Sequence, residues 1–527
     1  MRAFSAEMEA MKRVAITRMA CLIWAGFTLA NGRVQASDLD TIGATLLRTL
    51  VTNLDGTGIA VLQPEAGDTS ATNWQVDPGV LGQPGVPFTY SASAGSTNHF
   101  PNALGASSGH AGGVAGNFYS VASKALRLDN CEANYFFGFI VGSLATNFAD
   151  PLANQSFTFG NVAASTQQSI DRIYDNYSWQ YNTLFISAAN NGGAVSPPAT
   201  SYNGLAVGAY GGSSSAGPTI DNGRAKPDLT APGGSTSFST PLVTGAAALL
   251  QQAGLRGDGG DTNSAVDARV TKALLMNGAI KPAGWTNQIP SPLDPRYGAG
   301  VLNVFNSYKQ LAGGKHGFND STSVSANCPH PPTGVAGTVG VLSGWDFNTN
   351  TSSAAANGVN HYYFNVTNAV NGAMFTATAT LVWNRHSNQA GINNLDLFLY
   401  DAMSGNLVGC STSLVDNVEH LWLPRLAQGR YDLQVVKCGG STVSASEPYA
   451  LAFEFFCTPL KVANSGANVV LNWPVYPAGF VIESTTNFLS GAAWNNLSNL
   501  VVTVTNDQNY AVVCMTNANQ SFRLRRP

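Results

Sequence analysis

A hydroxyl, an imidazole, an amide and a carboxylate stand in this chain where turns would present them. Ser237 lies in Ser235-Thr236-Ser237-Phe238-Ser239-Thr240-Pro241, directly after the turn Ala231-Pro232-Gly233-Gly234, where an amphipathic helix opens. A helix start offers unpaired backbone N–H groups and the positive end of the dipole. Those surroundings suit a nucleophile whose tetrahedral adduct carries an oxyanion. Pro241 is expected in the first helical turn, where its missing N–H costs little. The plain alternative is that these hydroxyls only cap the helix. Among 7 histidines, His110 sits in SSGHAGGVAG (107–116), whose small residues let a helix pack closely and leave the ring accessible. A surface or capping histidine is the alternative there. Asn190 follows the apolar run LFISAA (184–189), and Asn-Asn-Gly by itself reads as a turn. Glu65 closes an apolar run in GTGIAVLQPEAG (56–67), with Asp55 and Asp68 close by in sequence.

The elements that must position these groups alternate between strand-like and helix-like segments from Asp38 to about Gly314, an α/β signature. Beyond Cys328 the helical pattern stops, and strict alternation at Phe375, Ala377, Ala379, Leu381 and Trp383, and again at Leu395, Leu397 and Leu399, predicts an antiparallel β-sandwich over 333–457. The polar stretch 316–332, ending in CPHPP, is expected to be a linker. Short strands separated by Asn, Ser and Gly predict a small β module over 460–527, with Trp473 and Trp494 in its core. The 527 residues suffice for several domains, and 11% charged residues with a net charge of -4 exclude a nucleic-acid binder. At the N-terminus, Lys12, Arg13 and Arg18 precede the apolar run 19–30 and Val34-Gln35-Ala36, the pattern of a signal peptide over 1–36. No later run is long enough to span a membrane. An exported chain retains Cys131, Cys328, Cys410, Cys438, Cys457 and Cys514, read as structural disulfides or plain buried thiols, with Cys410–Cys438 and Cys328–Cys457 the expected pairs if disulfides form.

Several of these segments resemble the subtilisin-like serine proteases (the subtilases, peptidase S8). STSFSTPLVTG is similar to the nucleophile motif G-T-S-x-A-x-P-x-x-x-G, which places Ser237 on the nucleophile. KPDLTAPG (226–233) and YGAGVLN (297–303) match that family's K-P-D and Y-G-x-G-x-x-N runs. The resemblance puts His110 on the catalytic base, with Gly113 where a second histidine would fall. It puts Asn190 on the oxyanion donor through S-A-G-N-x-G, and Glu65 on the orienting aspartate, so the acid carries one extra methylene. The chain order is Glu65, His110, Asn190, Ser237, with spacings of 45, 80 and 47 residues, and the resemblance covers about 40–312. ANQSFTFG (153–160) is similar to the family's edge segment that pairs with an extended substrate.

What this implies is an α/β fold, a subtilisin-like three-layer domain (37–315) with a mostly parallel sheet, followed by two all-β modules. The sandwich resembles pre-peptidase C-terminal domains of secreted proteases, through NHYYFNVTN (360–368), NNLDLFLYDAMSGNLV (393–408) and LAQGRYDLQVV (426–436). Asp396 and Asp401 there are expected on a solvated face, because no loop of calcium-ligand spacing accompanies them. The implied activity is a secreted serine endopeptidase acting on proteins or peptides, with no required cofactor, no metal ligand set and a monomeric state. The other reading keeps the fold as a catalytically inactive extracellular scaffold for adhesion or carbohydrate binding, suggested by Glu65, Ala189 and Ser235 at positions where the family differs.

Overall fold

The computed structural model describes residues 36–82, 86–145, 150–325, 330–332, 337–367, 375–440, 443–457, 460–474, 480–486, 493–498, 500–505, 508–515 and 520–525. Apart from Ala36, which opens a short helix, the expected signal segment lies outside the described residues.

Eight strands form the central sheet: β1 (Ala60–Glu65), β2 (Phe88–Ala92), β3 (Gly95–Thr97), β4 (Arg127–Glu132), β5 (Leu152–Gln155), β6 (Leu184–Ala188), β7 (Leu205–Tyr210) and β8 (Leu229–Pro232). Their order is β8-β7-β6-β5-β1-β4-β2-β3, parallel throughout except for the β2–β3 hairpin at one edge. Every residue of β6 is buried, as a strand covered on both faces requires. Alternation then sorts side chains between the faces. Val61, Leu184 and Ile186 share a core with helices α1 (Gly109–Val121) and α3 (Thr236–Arg256). Leu62, Ala153 and Phe185 point the other way, onto α2 (Ala164–Tyr181) and a π-helical turn at Phe136–Val141. The result is the expected three-layer α/β unit.

Two local devices fix the start of α3. A Cβ on Gly113 would stand 2.8 Å from the Phe238 ring, so a side chain there would force the helix starts apart. Pro241 is the sixth residue of α3 and so lies in its second turn, not the first. Its missing N–H frees the carbonyl four residues back, that of Ser237, and the Ser156 hydroxyl donates to that oxygen at 2.9 Å. The K-P-D run is structural: buried Asp228 accepts from Lys226 Nζ at 2.6 Å and from the Ala206 amide, with Lys272 at 3.5 Å.

The sandwich comprises β9 (Asp320–Ser325), β10 (Ser343–Thr351), β11 (Ala356–Val366), β12 (Phe375–Trp383), β13 (Leu395–Asp401), β14 (Leu407–Ser411), β15 (Val418–Leu426), β16 (Gly429–Lys437) and β17 (Ser446–Cys457). Its two antiparallel sheets run β9-β11-β16-β13-β14 and β10-β17-β12-β15. β9 falls inside the stretch expected to be a linker. It is a polar, largely exposed edge strand paired along β11, and so carries no apolar period to betray it. The α/β unit and the sandwich are not beads on a string. Trp345, Val382, Val418, Ala450 and Ala452 belong to the same core as α3 and the short helices α4 (Ala268–Asn277) and α5 (Val304–Ala312). Asn277 Oδ1 accepts from the Thr378 and Thr380 hydroxyls at 2.8 and 3.0 Å, and Glu454 accepts from Lys309 and Gln310 at 3.0 Å each.

The expected Cys410–Cys438 disulfide is absent: both are free thiols, as are Cys131 and Cys514. β13 runs between the strand carrying Cys410 and the one ending at Lys437, so two strand spacings separate them. Cys438 instead donates to Asp396 at 3.1 Å. Cys328 lies outside the described residues, and with it the second expected pair. Asp401 closes a turn by accepting from the Met403 and Ser404 amides. The last module pairs a four-stranded with a three-stranded sheet around its own small core, which includes Trp473. Trp494 is only half-buried, beneath the Arg523 guanidinium at 4.3 Å.

Candidate active site

Parallel α/β sheets gather their chemistry where strands end and helices begin, and the four singled-out groups lie at such places. Glu65 is the last residue of β1 and 1% exposed. Its Oε2 meets His110 Nδ1 at 2.9 Å, while its Oε1 accepts from Gln63 Nε2 at 2.9 Å. Gln63 also donates to the Ala111 carbonyl at 3.0 Å, tying the acid to the helix that carries the histidine. A carboxylate accepts, so Nδ1 keeps its proton and donates it to Glu65, and Nε2 is left as the basic nitrogen.

His110 is the second residue of α1, whose N-cap Ser108 accepts from the Ala111 amide. The His110 side chain is 30% exposed. Burial alone would depress its pKa, but the charge and hydrogen bond of Glu65, with a smaller contribution from Asp68, outweigh that and hold it above the ordinary 6.5. Asp68 itself takes the Ser108 hydroxyl at 2.6 Å and the His110 backbone amide at 3.3 Å, and so supports the helix start without touching the imidazole. Burial opposes its ionisation, yet these bonds and that of Thr69 keep its carboxyl below the usual range. Asp55 pairs with Lys124 at 3.0 Å and takes no part.

Ser237 is the second residue of α3, beside Phe238, whose ring centre is 5.9 Å from that of His110. Ser235 precedes the helix without a side-chain capping bond, so this start is not sealed by its own hydroxyl. The Ser237 hydroxyl donates to the Ser156 carbonyl at 3.2 Å, reciprocating the bond from Ser156 Oγ.

The turn after β6 offers two amides. Asn190 has φ 92°, the left-handed region that favours glycine, and its Nδ2 donates to Ser196 Oγ at 3.1 Å. Its neighbour Asn191 stands at the start of α3: Asn191 Oδ1 accepts from the Thr236 amide at 2.9 Å and the Thr236 hydroxyl at 2.8 Å. Its oxygen thus ties Asn191, an exposed residue, to the helix that carries Ser237. The signal was present in the sequence. In Ala189-Asn190-Asn191-Gly192-Gly193 both asparagines satisfy N-x-G, and Asn tolerates positive φ well enough to replace the glycine before the amide. Gln63, Ser156 and Thr236 carried no such signal. Among the described residues no group of three or more His, Cys, Asp or Glu side chains is arranged to hold a metal ion.

Residues 141–300 match the model of the subtilase family, peptidase S8. The matched span includes Asn191 and Ser237 and begins after Glu65 and His110. Solved structures similar to the chain include the Aeromonas sobria serine protease in complex with its chaperone, at 12% identity over 96% of this chain and 99% of that one, TM-score 0.36. MycP1, a serine protease described as an essential component of the type VII (ESX-1) secretion system, is similar at 17% identity over 54% and 90%, TM-score 0.34. The patellamide maturation protease PatG is similar at 15% over 53% and 98%, TM-score 0.34. Likeness of this order says nothing of substrate or partner. No curated protein matches the chain in sequence.

Proposed function

We propose that the protein is a serine endopeptidase that hydrolyses peptide bonds through an acyl-enzyme. Ser237 attacks the scissile carbonyl as His110 Nε2 takes its proton. Glu65 fixes the imidazole tautomer and stabilises the imidazolium, and His110 returns the proton to the leaving amine. The developing oxyanion is received by the Ser237 backbone N–H at the start of α3 and by Asn191 Nδ2, the neighbour of the asparagine the sequence singled out. The observation that carries this reading is the 2.9 Å contact between a fully buried carboxylate and the Nδ1 of a partly exposed histidine. A carboxylate one methylene longer than aspartate thus reaches the ring. Nothing in these steps calls for a metal or cofactor.

Export completes the proposal, supported by the basic residues, apolar run and Val34-Gln35-Ala36 at the N-terminus. N-terminal sequencing of protein recovered from the medium, with a start near Ser37, tests it. Among the described residues no helix is long and apolar enough to cross a membrane.

One observation favours the non-catalytic scaffold: the Ser237 hydroxyl is engaged by Ser156 and not by His110. A fluorophosphonate probe decides between the two. Covalent labelling of Ser237 in wild-type protein, lost in Ser237→Ala and in His110→Ala, supports the peptidase. Absence of labelling together with absence of peptide cleavage supports the scaffold.

A further inference from the structure

The Glu65 carboxylate is held at both oxygens, and only one of the two holds is His110. Oε1 accepts from Gln63 Nε2 at 2.9 Å, and the same nitrogen donates to the Ala111 carbonyl at 3.0 Å. Gln63 stands two residues before Glu65 on β1, so alternation turns both side chains to one face of the sheet. It is buried, and its backbone is fixed from the neighbouring strand. Asn130 of β4 donates to the Gln63 carbonyl at 3.0 Å and accepts from the Val76 amide at 2.8 Å.

The Gln63 nitrogen carries two hydrogens, and the two groups around it can only accept. Turned over, the amide would set its oxygen against a carboxylate and a backbone carbonyl, so its surroundings fix its orientation. Because Ala111 follows His110 in α1, one atom refers the acid to the first turn of the helix that carries the base. That reference matters for a glutamate. It has one more rotatable bond than aspartate, and its terminal torsion is broad and does not by itself hold the carboxylate plane. With Oε1 pinned, Oε2 is directed to its 2.9 Å contact with His110 Nδ1.

We infer that Gln63 is a positioning residue, which fixes the plane and reach of the Glu65 carboxylate against α1 and so allows an acid this long to orient the base. The inference rests on the peptidase reading, in which Glu65 orients His110. The bonds of the Gln63 amide nitrogen go to Glu65 and Ala111 and not to the reacting groups, so it acts through the acid.

Two variants test it. Gln63→Leu removes the donor at similar volume, and Gln63→Asn keeps an amide that is one methylene too short to serve both acceptors. Each, checked by its thermal midpoint, is expected to lower kcat on a fluorogenic peptide by about 10²-fold, the scale of a misplaced group, with KM little changed. In the Glu65→Gln background the sign reverses: there Gln63→Leu is expected to raise kcat, because it releases the new amide to turn its oxygen to Nδ1. A residue that only fills the interior would lower activity in both backgrounds or in neither, and either result overturns the inference. Should Gln63→Leu fail to fold, Gln63→Asn decides, and an unchanged kcat in that variant overturns it equally. The second readout is the titration of the His110 ring by NMR, with the signal assigned through His110→Ala. The Glu65 charge and hydrogen bond hold that ring above 6.5, so its midpoint is expected to move down in both variants. Failure of the peptidase reading looks different: no probe labelling and no cleavage by wild-type protein. The titration needs no turnover, and still decides in that case: a lowered midpoint upholds the hold of Gln63 on the pair, and an unchanged one overturns it.

Discussion

Replacing Glu65 by Gln changes one atom pair, and its effect follows from what surrounds that carboxylate. Glu65 Oε1 accepts from Gln63 Nε2, which cannot be turned away without giving up its second bond, to the Ala111 carbonyl. In Glu65→Gln the amide oxygen therefore goes to Gln63 and the amide nitrogen faces His110 Nδ1. The imidazole must then accept at Nδ1 and carry its proton on Nε2, the wrong tautomer for a base. An amide for carboxylate exchange of this kind costs about 10⁴ in kcat, which corresponds to roughly 5 kcal/mol of transition-state stabilisation. Packing should be little disturbed, since every hydrogen bond of the buried group survives with a donor reversed. Steady-state hydrolysis of a fluorogenic peptide and the rate of fluorophosphonate labelling read the effect. Glu65→Asp keeps the charge but withdraws it by one methylene from a 2.9 Å contact, a misplacement worth about 10²-fold. Adding Gln63→Leu to Glu65→Gln frees the amide to turn its oxygen to Nδ1, so the double variant should be more active than Glu65→Gln alone. Full activity in Glu65→Gln, with Asp68→Asn or Asp55→Asn inactive, would refute this account of the corner.

Ser237→Ala should abolish labelling and hydrolysis while its thermal midpoint stays near that of wild type, because the Ser156 hydroxyl still reaches the residue 237 carbonyl. Asn191→Ala should lower kcat by about 10²- to 10³-fold, the scale of one lost oxyanion donor. Asn190→Gly, which relieves a positive φ, should cost far less, and the reverse order in the same assay would return the donor to Asn190. Because the base must be neutral and its pKa is raised, the acid limb of kcat/KM should lie above pH 6.5 and move down in Glu65→Gln. The same raised pKa adds stability that is full below 6.5 and is lost as pH climbs through the folded value, so Glu65→Gln should lower the denaturant midpoint more in acid than in alkali. Asn277→Leu strips an acceptor from the buried hydroxyls of Thr378 and Thr380, of which Thr380 keeps His420 Nδ1 at 2.8 Å, and should cost about 1–3 kcal/mol for the unpaired Thr378, seen in chemical denaturation.

The sheet and helices around the site were legible because parallel strands buried on both faces read as apolar runs, and small residues mark close helix contacts. Ser237, His110 and Glu65 each stand beside glycines that fix a register. The oxyanion donor was legible only to within one residue: two asparagines and two glycines in a row admit two registers, and the proposed shift from Asn190 to Asn191 rests on the positive φ of Asn190 and the hold of Asn191 on Thr236. The Cys410–Cys438 pairing failed for a topological reason, since strand adjacency in space is not carried by where cysteines fall at strand ends. β9 escaped because an edge strand facing water has the composition of a linker. Pro241 was misplaced by one turn because the helix opens at Thr236, leaving a carbonyl for Ser156 that no local rule foretells.

The proposed peptidase would work among copies of itself, and the core shared between the α/β unit and the sandwich bears on its survival there. Severing the chain near residue 316 would leave Trp345, Val382, Ala450 and Ala452 holding the halves together, with Asn277 and Glu454 still bonded across the seam. A nick there is a wound without a separation. Among the described residues the last module, folded around its own small core from Leu460 onward, has no share in that core. Self-trimming by the proposed activity would therefore find a natural boundary before the tail, whereas the sandwich stays in one body with the α/β unit.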